Sequence, residues 1–167
     1  VIKVESSRRP DLTRRSHIFP PGMEPGLNRC GYFNQVCQSK QSVAINLTKP
    51  EGIELVKRLA ETSDVLISNF GTGVMEKLGL APEELLRRNP RLTIATISAF
   101  GKTGPHRAYM GYGPLVHALG GLSAETGYAD GVPRDIGTAY GDPNGGVYAA
   151  IAIAASLWAR DRHREGG

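Results

Sequence analysis

The stretch that most limits the fold is a helix-forming run with no polar side. Residues 147–159, Val-Tyr-Ala-Ala-Ile-Ala-Ile-Ala-Ala-Ser-Leu-Trp-Ala, are apolar on every face. A helix of that kind is expected to be buried rather than laid on a surface. It is too short and too rich in alanine to span a bilayer, which takes roughly 20 residues. Ahead of it stands Gly141-Asp142-Pro143-Asn144-Gly145-Gly146. Proline suits the first turn of a helix, where its missing N–H would be unpaired in any case. Asp142 is therefore expected at the N-cap. Gly145 and Gly146 weaken that turn but let another backbone or a ligand come close. The chain must then hold one carboxylate at the mouth of a buried helix. Two roles follow for Asp142: an N-cap and nothing more, or a carboxylate nucleophile. Pattern alone does not choose between them.

The rest of the chain alternates short strands with helices. Residues 1–4 read as a strand, and 6–41 as a long polar loop rich in Pro, Gly and Arg. Residues 42–47 read as a second strand. Thr48, Pro50 and Glu51 then fit a capping box that opens a helix to about Glu61, with Ile53, Val56, Leu59 and Ala60 on one face. Residues 65–67 form a third strand, apolar on both sides as in a parallel sheet. Residues 74–78 follow the Asn69-Phe70-Gly71-Thr72-Gly73 loop. Residues 81–88 read as a helix with acid first and base last, ended by Asn89-Pro90. Residues 92–98 are the clearest strand, and 113–119 a short helix broken by Gly120-Gly121. This rhythm argues for a Rossmann-like, doubly wound, mostly parallel α/β sheet. Ligands of such sheets bind outside the carboxyl ends of the strands.

Charge and motifs narrow the chemistry. The 167 residues suffice for one domain with a core, and 20 Lys+Arg against 16 Asp+Glu leave a net charge of +4. The basic residues are scattered without interleaved aromatics, so no nucleic-acid stripe is indicated, and a polyanionic small ligand fits as well. Cys30 and Cys37 lack zinc-ligand spacing, so no metal is expected, and reduced thiols suit the cytoplasm. Signal peptide and membrane span are not visible. The chain opens without Met inside a strand and stops just past a helix, and is read as a fragment of a longer protein. Gly101-Lys102-Thr103-Gly104 looks like the tail of a phosphate loop but lacks the upstream glycine and opens no helix. Neither a GxGxxG fingerprint for a nucleotide cofactor nor a GxSxG elbow occurs. His17, His106, His117 and His163 form no ligand pattern. Lys49, Lys77 and Lys102 fall at strand or helix ends, as solvated charges or as a shared anion site.

Together these segments resemble the class III CoA-transferase family, the group of formyl-CoA transferase, carnitine CoA-transferase and α-methylacyl-CoA racemase. The resemblance rests on residues 1–5 (VIKVE), 39–43 (SKQSV), 49–52 (KPEG), 63–70 (SDVLISNF), 73–80 (GVMEKLGL), 89–92 (NPRL), 97–105 (ISAFGKTGP) and Gly141-Asp142 with its helix. They occur in the family's order along nearly the whole chain. The resemblance implies a partial CoA-binding large domain of an interlocked homodimer. A first strand would lie upstream, and a smaller domain with a glycine-rich loop downstream. The fragment alone would be inactive.

The resemblance makes Asp142 the catalytic aspartate, which forms a mixed anhydride with the donor acyl group and then an aspartyl-CoA thioester. Coenzyme A and acyl-CoA are implied as substrates, with a carboxylic acid as acceptor. By position, Ile45, Thr48 and Lys49 should touch the nucleotide end of CoA. Asn69, Phe70 and Gly71 should line the pantetheine path, with Lys77 and Leu78 near the phosphates or adenine. Met110, Gly111 and Tyr112 should border the thioester. Gly71-Thr72 replaces a common Arg-Pro, Thr48 a common Lys, and Ser6 a residue that is often basic. The racemase branch carries a His where Tyr112 stands, and a phenol is a poor base near neutral pH. Transferase is therefore favoured over an epimerase that uses Tyr112 or His117 as second base. A non-catalytic CoA-binding remnant is the third reading.

Overall fold

The computed structural model describes residues 1–15 and 21–163. It divides into two compact units, Val1–Val56 and Lys57–Gly167. His17 lies outside the described residues.

In the first unit, β1 (Ile2–Glu5) pairs in parallel with β2 (Gln41–Ala44), Val4 opposite Val43. The ladder runs one residue past β2, since the Ile45 N–H donates to the Glu5 carbonyl at 2.8 Å. Parallel strands need a long crossover. Here it is the polar stretch expected to be a loop, and its described residues are tied down by side chains. Arg14, in a 3₁₀ turn (Leu12–Arg15), donates to both Glu5 carboxylate oxygens at 2.8 and 2.9 Å. Its guanidinium also lies 3.6 Å from the centre of the Phe33 ring on helix α1 (Gly31–Val36). Cys30, Phe33, Ile45 and Val56 are buried in this unit.

Helix α2 (Pro50–Glu61) crosses the division between the units. It starts later than the capping-box reading, and Thr48 is not its cap. The Thr48 hydroxyl and amide both donate to the Asn46 side-chain oxygen, at 2.8 and 3.1 Å, which makes an Asx turn. Gly52 explains the short side chain at that position. A Cβ there would stand 2.1 Å from the Asn46 carbonyl oxygen.

The second unit holds β3 (Val65–Ser68) and β4 (Thr93–Thr96), again parallel, with Val65 opposite Thr93. Between them come α3 (Val74–Lys77) and α4 (Pro82–Arg88). The strands thus pair two by two, one parallel pair in each unit, within the α/β class read from the sequence. Leu80, Leu85 and Leu92 are fully buried, with Ala60 and Met75 close to it. Asn89 stops α4 and also completes α2. Its side-chain amide donates to the carbonyls of Ala60, in the last turn of α2, and of Ser63, just beyond it, each at 2.9 Å.

Helix α5 (Gly113–Leu119) has the limits read from the sequence, and α6 (Gly141–His163) begins earlier than expected. Three points fix the course of α6 along β4. Gly145 faces Ile97, the Ser156 hydroxyl lies 3.4 Å from that of Thr93, and the Arg160 guanidinium donates to the Arg91 carbonyl at 2.8 Å. The two elements are therefore antiparallel. Eleven helical residues rise about 16 Å and four strand residues about 13 Å, so the spacings agree. The helix N-terminus consequently lies at the carboxyl end of β4.

One expectation about α6 is corrected. Far from being enclosed, it leaves Tyr148 73% and Trp158 61% exposed, with Val147 and Ile151 also open. Contact with β4 and α5 occupies only part of its circumference, and no other described element covers the rest.

Candidate active site at the start of α6

The carboxyl ends of β3 and β4 carry the loops that meet the first turn of α6. The Ile97 N–H donates to the Ser68 carbonyl at 2.8 Å, so the pairing persists where both strands end. After β3, the Ser68 hydroxyl accepts from the Phe70 N–H at 3.3 Å and turns the chain. The Thr72 hydroxyl then donates to the Arg107 carbonyl at 2.8 Å, which ties this loop to the one after β4. That second loop turns at Gly101 and Gly104, whose φ values of 74° and 85° favour glycine. No helix opens directly after Gly104, as one does after a Walker loop; the next helix is α5. Phe100, His106 and Tyr109 of this loop pack together, Phe100 edge-to-face against both of the others.

Two glycines permit close approaches here, Gly111 to Ala99 in the loop after β4 and Gly113 at the start of α5 to the residues that lead into α6. A Cβ on Gly111 would stand 2.4 Å from the Ala99 Cβ, and one on Gly113 would stand 2.6 Å from the Ala139 Cβ. Gly141 faces Gly113 and Val116 in turn, with 3.4 Å from its own ideal Cβ position to the Val116 Cβ. Gly113 and Val116 therefore border the segment that leads into Asp142.

Asp142 is exposed and lies in the first turn of α6. Since the helix begins at Gly141, Asp142 is its second residue and not the N-cap expected from the sequence. Its N–H donates to the Ala139 carbonyl at 2.9 Å, and among the described residues its carboxylate has no hydrogen-bond or ion-pair partner. Gly146, one turn on, has open space where a Cβ would stand, while Gly145 sits against Ile97.

The second unit also contains Asn69, Phe70, Gly71, Lys77, Leu78, Met110, Gly111 and Tyr112. Asn69, Phe70, Gly71, Lys77, Met110 and Tyr112 are exposed, Leu78 and Gly111 half-buried. Gly111 acts as a packing point against Ala99 and Phe100. Lys102 pairs with Glu76 at 3.6 Å, so its charge is partly answered within the chain. Ile45, Thr48 and Lys49 belong to the first unit, just past β2. Thr48 and Lys49 are exposed there, but the Ile45 side chain is buried and leaves only its backbone for a ligand.

His117, read as a candidate second base, takes a different part in the structure. It is buried on α5, and its Nε2 accepts the Gly141 N–H at 2.7 Å. A nitrogen so engaged is not free to act as a second base. Only the short spacing between Gly113-Pro114 and a lone histidine marks it in the chain, and that pattern has no meaning without α6 beside it.

A family model described as CoA-transferase family III matches residues 1–167. The succinyl-CoA–D-citramalate CoA-transferase of Chloroflexus aurantiacus is 37% identical over 166 residues, which are 99% of this chain and 40% of that protein. The acetyl-CoA:oxalate CoA-transferase of Acetobacter aceti is 40% identical over 166 residues, 93% of this chain and 43% of that protein. Among solved structures, a CAIB/BAIF family protein from Brucella suis superposes with a TM-score of 0.90 at 37% identity, covering 100% of this chain and 44% of that one. Rv3272 from M. tuberculosis gives 0.87 at 34% identity, covering 100% and 45%. The chain spans about 40% of the length of the curated relatives it matches.

Proposed function

The chain belongs to CoA-transferase family III, and on that premise we propose that the protein carrying it moves CoA from an acyl-CoA donor to a carboxylic acid through a covalent intermediate on Asp142. The supporting observation is the Asp142 carboxylate: exposed, uncommitted, and set in the first turn of α6 at the carboxyl end of β4. A nucleophile must be reachable and must not be consumed by structural hydrogen bonds.

The reaction divides into four displacements, each conserving atoms and charge. An Asp142 oxygen attacks the thioester carbonyl and expels CoA thiolate, leaving a mixed anhydride. The thiolate attacks the aspartyl carbonyl, forming an aspartyl-CoA thioester and releasing the donor acid. The acceptor carboxylate attacks that thioester, giving a second anhydride and thiolate. The thiolate then takes the acceptor acyl group and restores the carboxylate. No proton is transferred in this sequence, so the absence of a free base beside Asp142 among the described residues fits it better than it fits epimerisation.

In this reading Thr48, Lys49 and the Ile45 backbone meet the nucleotide end of CoA. Asn69, Phe70 and Gly71 follow the pantetheine, Lys77 and Leu78 lie near the phosphates or adenine, and Met110, Gly111 and Tyr112 border the thioester. The uncovered apolar side of α6 supports further cover from a second copy in an interlocked homodimer, or from a smaller domain of the same protein. Free Cys30 and Cys37 suit a cytoplasmic setting.

The test is transfer from succinyl-CoA, a donor named for one relative, to a panel of short acids. Asp142→Ala should lower kcat at least about a thousandfold, the scale on which loss of a nucleophile acts in other covalent enzymes. A variant that keeps its fold and transfers within tenfold of the parent would refute the reading.

A further inference from the structure

We propose that His117 is a positioning residue for Asp142, acting through the peptide N–H of Gly141. This inference rests on the role given above to Asp142. A helix leaves its first N–H groups without internal partners, and the usual acceptor is the side chain just before it. Here the residue before α6 is Tyr140, and no hydrogen bond joins the Tyr140 side chain to the first turn among the described residues. Asp142 could accept from the helix itself but does not. The acceptor comes instead from another helix: Nε2 of His117, 2.7 Å from the Gly141 nitrogen.

This bond fixes the chemistry of the ring. An accepting nitrogen carries a lone pair, so the imidazole is neutral and its proton sits on Nδ1. That Nδ1 is buried and has no partner among the described residues. The residue is 5% exposed, and its ring lies beside Tyr140, with 6.2 Å between ring centres. His117 thus holds the peptide immediately before Asp142 with one hydrogen bond from a buried, immobilised side chain. It also takes the capping duty that an aspartate in the first turn otherwise performs. The carboxylate is left with both oxygens free for a thioester carbonyl.

The experiment uses the protein that contains this chain, with succinyl-CoA as donor. His117→Leu keeps the bulk and removes the acceptor. His117→Gln restores an acceptor oxygen at nearly the reach of Nε2. Misplacing a reacting group by about 1 Å costs up to roughly a hundredfold in rate. His117→Leu should therefore lose about 10- to 100-fold in kcat with KM for the acyl-CoA within about twofold, and His117→Gln should recover most of it. A folded His117→Leu enzyme with unchanged kcat, or a folded His117→Gln enzyme as slow as His117→Leu, overturns the proposal. Long-range proton–nitrogen NMR on histidine-labelled enzyme decides the matter even if His117→Leu fails to fold. It should show Nδ1 protonated and Nε2 bare, and a proton on Nε2 overturns the anchor. Asp142→Ala runs alongside. If that variant stays active the transferase reading fails by itself, while the NMR result still judges the anchor.

Discussion

Gly113→Ala is the sharpest structural perturbation of the site. The added Cβ would stand 2.6 Å from the Ala139 Cβ and 2.8 Å from the Ala139 Cα. Neither neighbour can rotate away, because one is backbone and the other is fixed to it. Normal contact requires the two segments to part by about 1 Å, an overpacking that costs roughly 1–3 kcal/mol. Alanine also gains up to about 1 kcal/mol over glycine as a helix former, which offsets part of this. The net expectation is destabilisation of about 1–2 kcal/mol, or roughly 2–8 °C in Tm. Gly146→Ala is the matched control, since Gly146 is also helical but has nothing within 4 Å of its Cβ position. It should stabilise by up to about 1 kcal/mol. Thermal and urea unfolding of both variants provide the assay. Because Ala139 leads directly into Gly141 and Asp142, Gly113→Ala should also slow transfer. A Gly113→Ala protein as stable as Gly146→Ala would refute the close approach of α5 to the start of α6.

Two further predictions concern the first unit. Burial pushes the Asp11 carboxyl up, but hydrogen bonds from Lys3 and from the Thr13 hydroxyl and amide outweigh it and hold the group at about 2 against a usual 3.8. A depressed folded-state value stabilises above the unfolded value, so roughly 2 kcal/mol at most is present above pH 3.8 and lost as the pH falls toward 2. Urea midpoints measured from pH 5 to 2.5 should fall along that limb, and Lys3→Met should flatten it; equal slopes would contradict this. Glu84, lowered chiefly by its hydrogen bond from Arg87, adds to the same limb in both proteins and cancels in the comparison. Arg14→Lys should destabilise by about 1–3 kcal/mol, because an ammonium cannot span both Glu5 oxygens while stacking on Phe33. Chemical denaturation reads this directly, and a neutral result would show that the crossover is held by other contacts.

The parts of the fold legible in the sequence are those set by local period. Four parallel-type strands, the apolar face of α2 and both limits of α5 follow from spacing, glycine and proline alone. Side-chain contacts between distant residues leave no such period, which is why the Arg14–Glu5–Phe33 group sat unseen inside a stretch read as loop. The all-apolar run of α6 was a sound demand for cover, but a demand for cover does not say which part of a molecule supplies it. Asp142 stands two positions past the cap read for it. Sequence placed a carboxylate at the helix start, and the competing acceptor that displaced it from the cap, His117, lies on another helix. Gly111 also packs closely against the Ala99 and Phe100 side chains, and Gly113 against Ala139, close approaches that leave no mark in the sequence beyond the glycine itself.

The central claim is that Asp142 bonds covalently to the acyl group, and trapping tests it most directly. The enzyme is mixed with an acyl-CoA, quenched with hydroxylamine, digested and analysed by mass spectrometry. The account predicts a hydroxamate on Asp142 alone, formed only when acyl-CoA is present. Steady turnover with Asp142 unmodified, or a hydroxamate on another carboxylate, would contradict it.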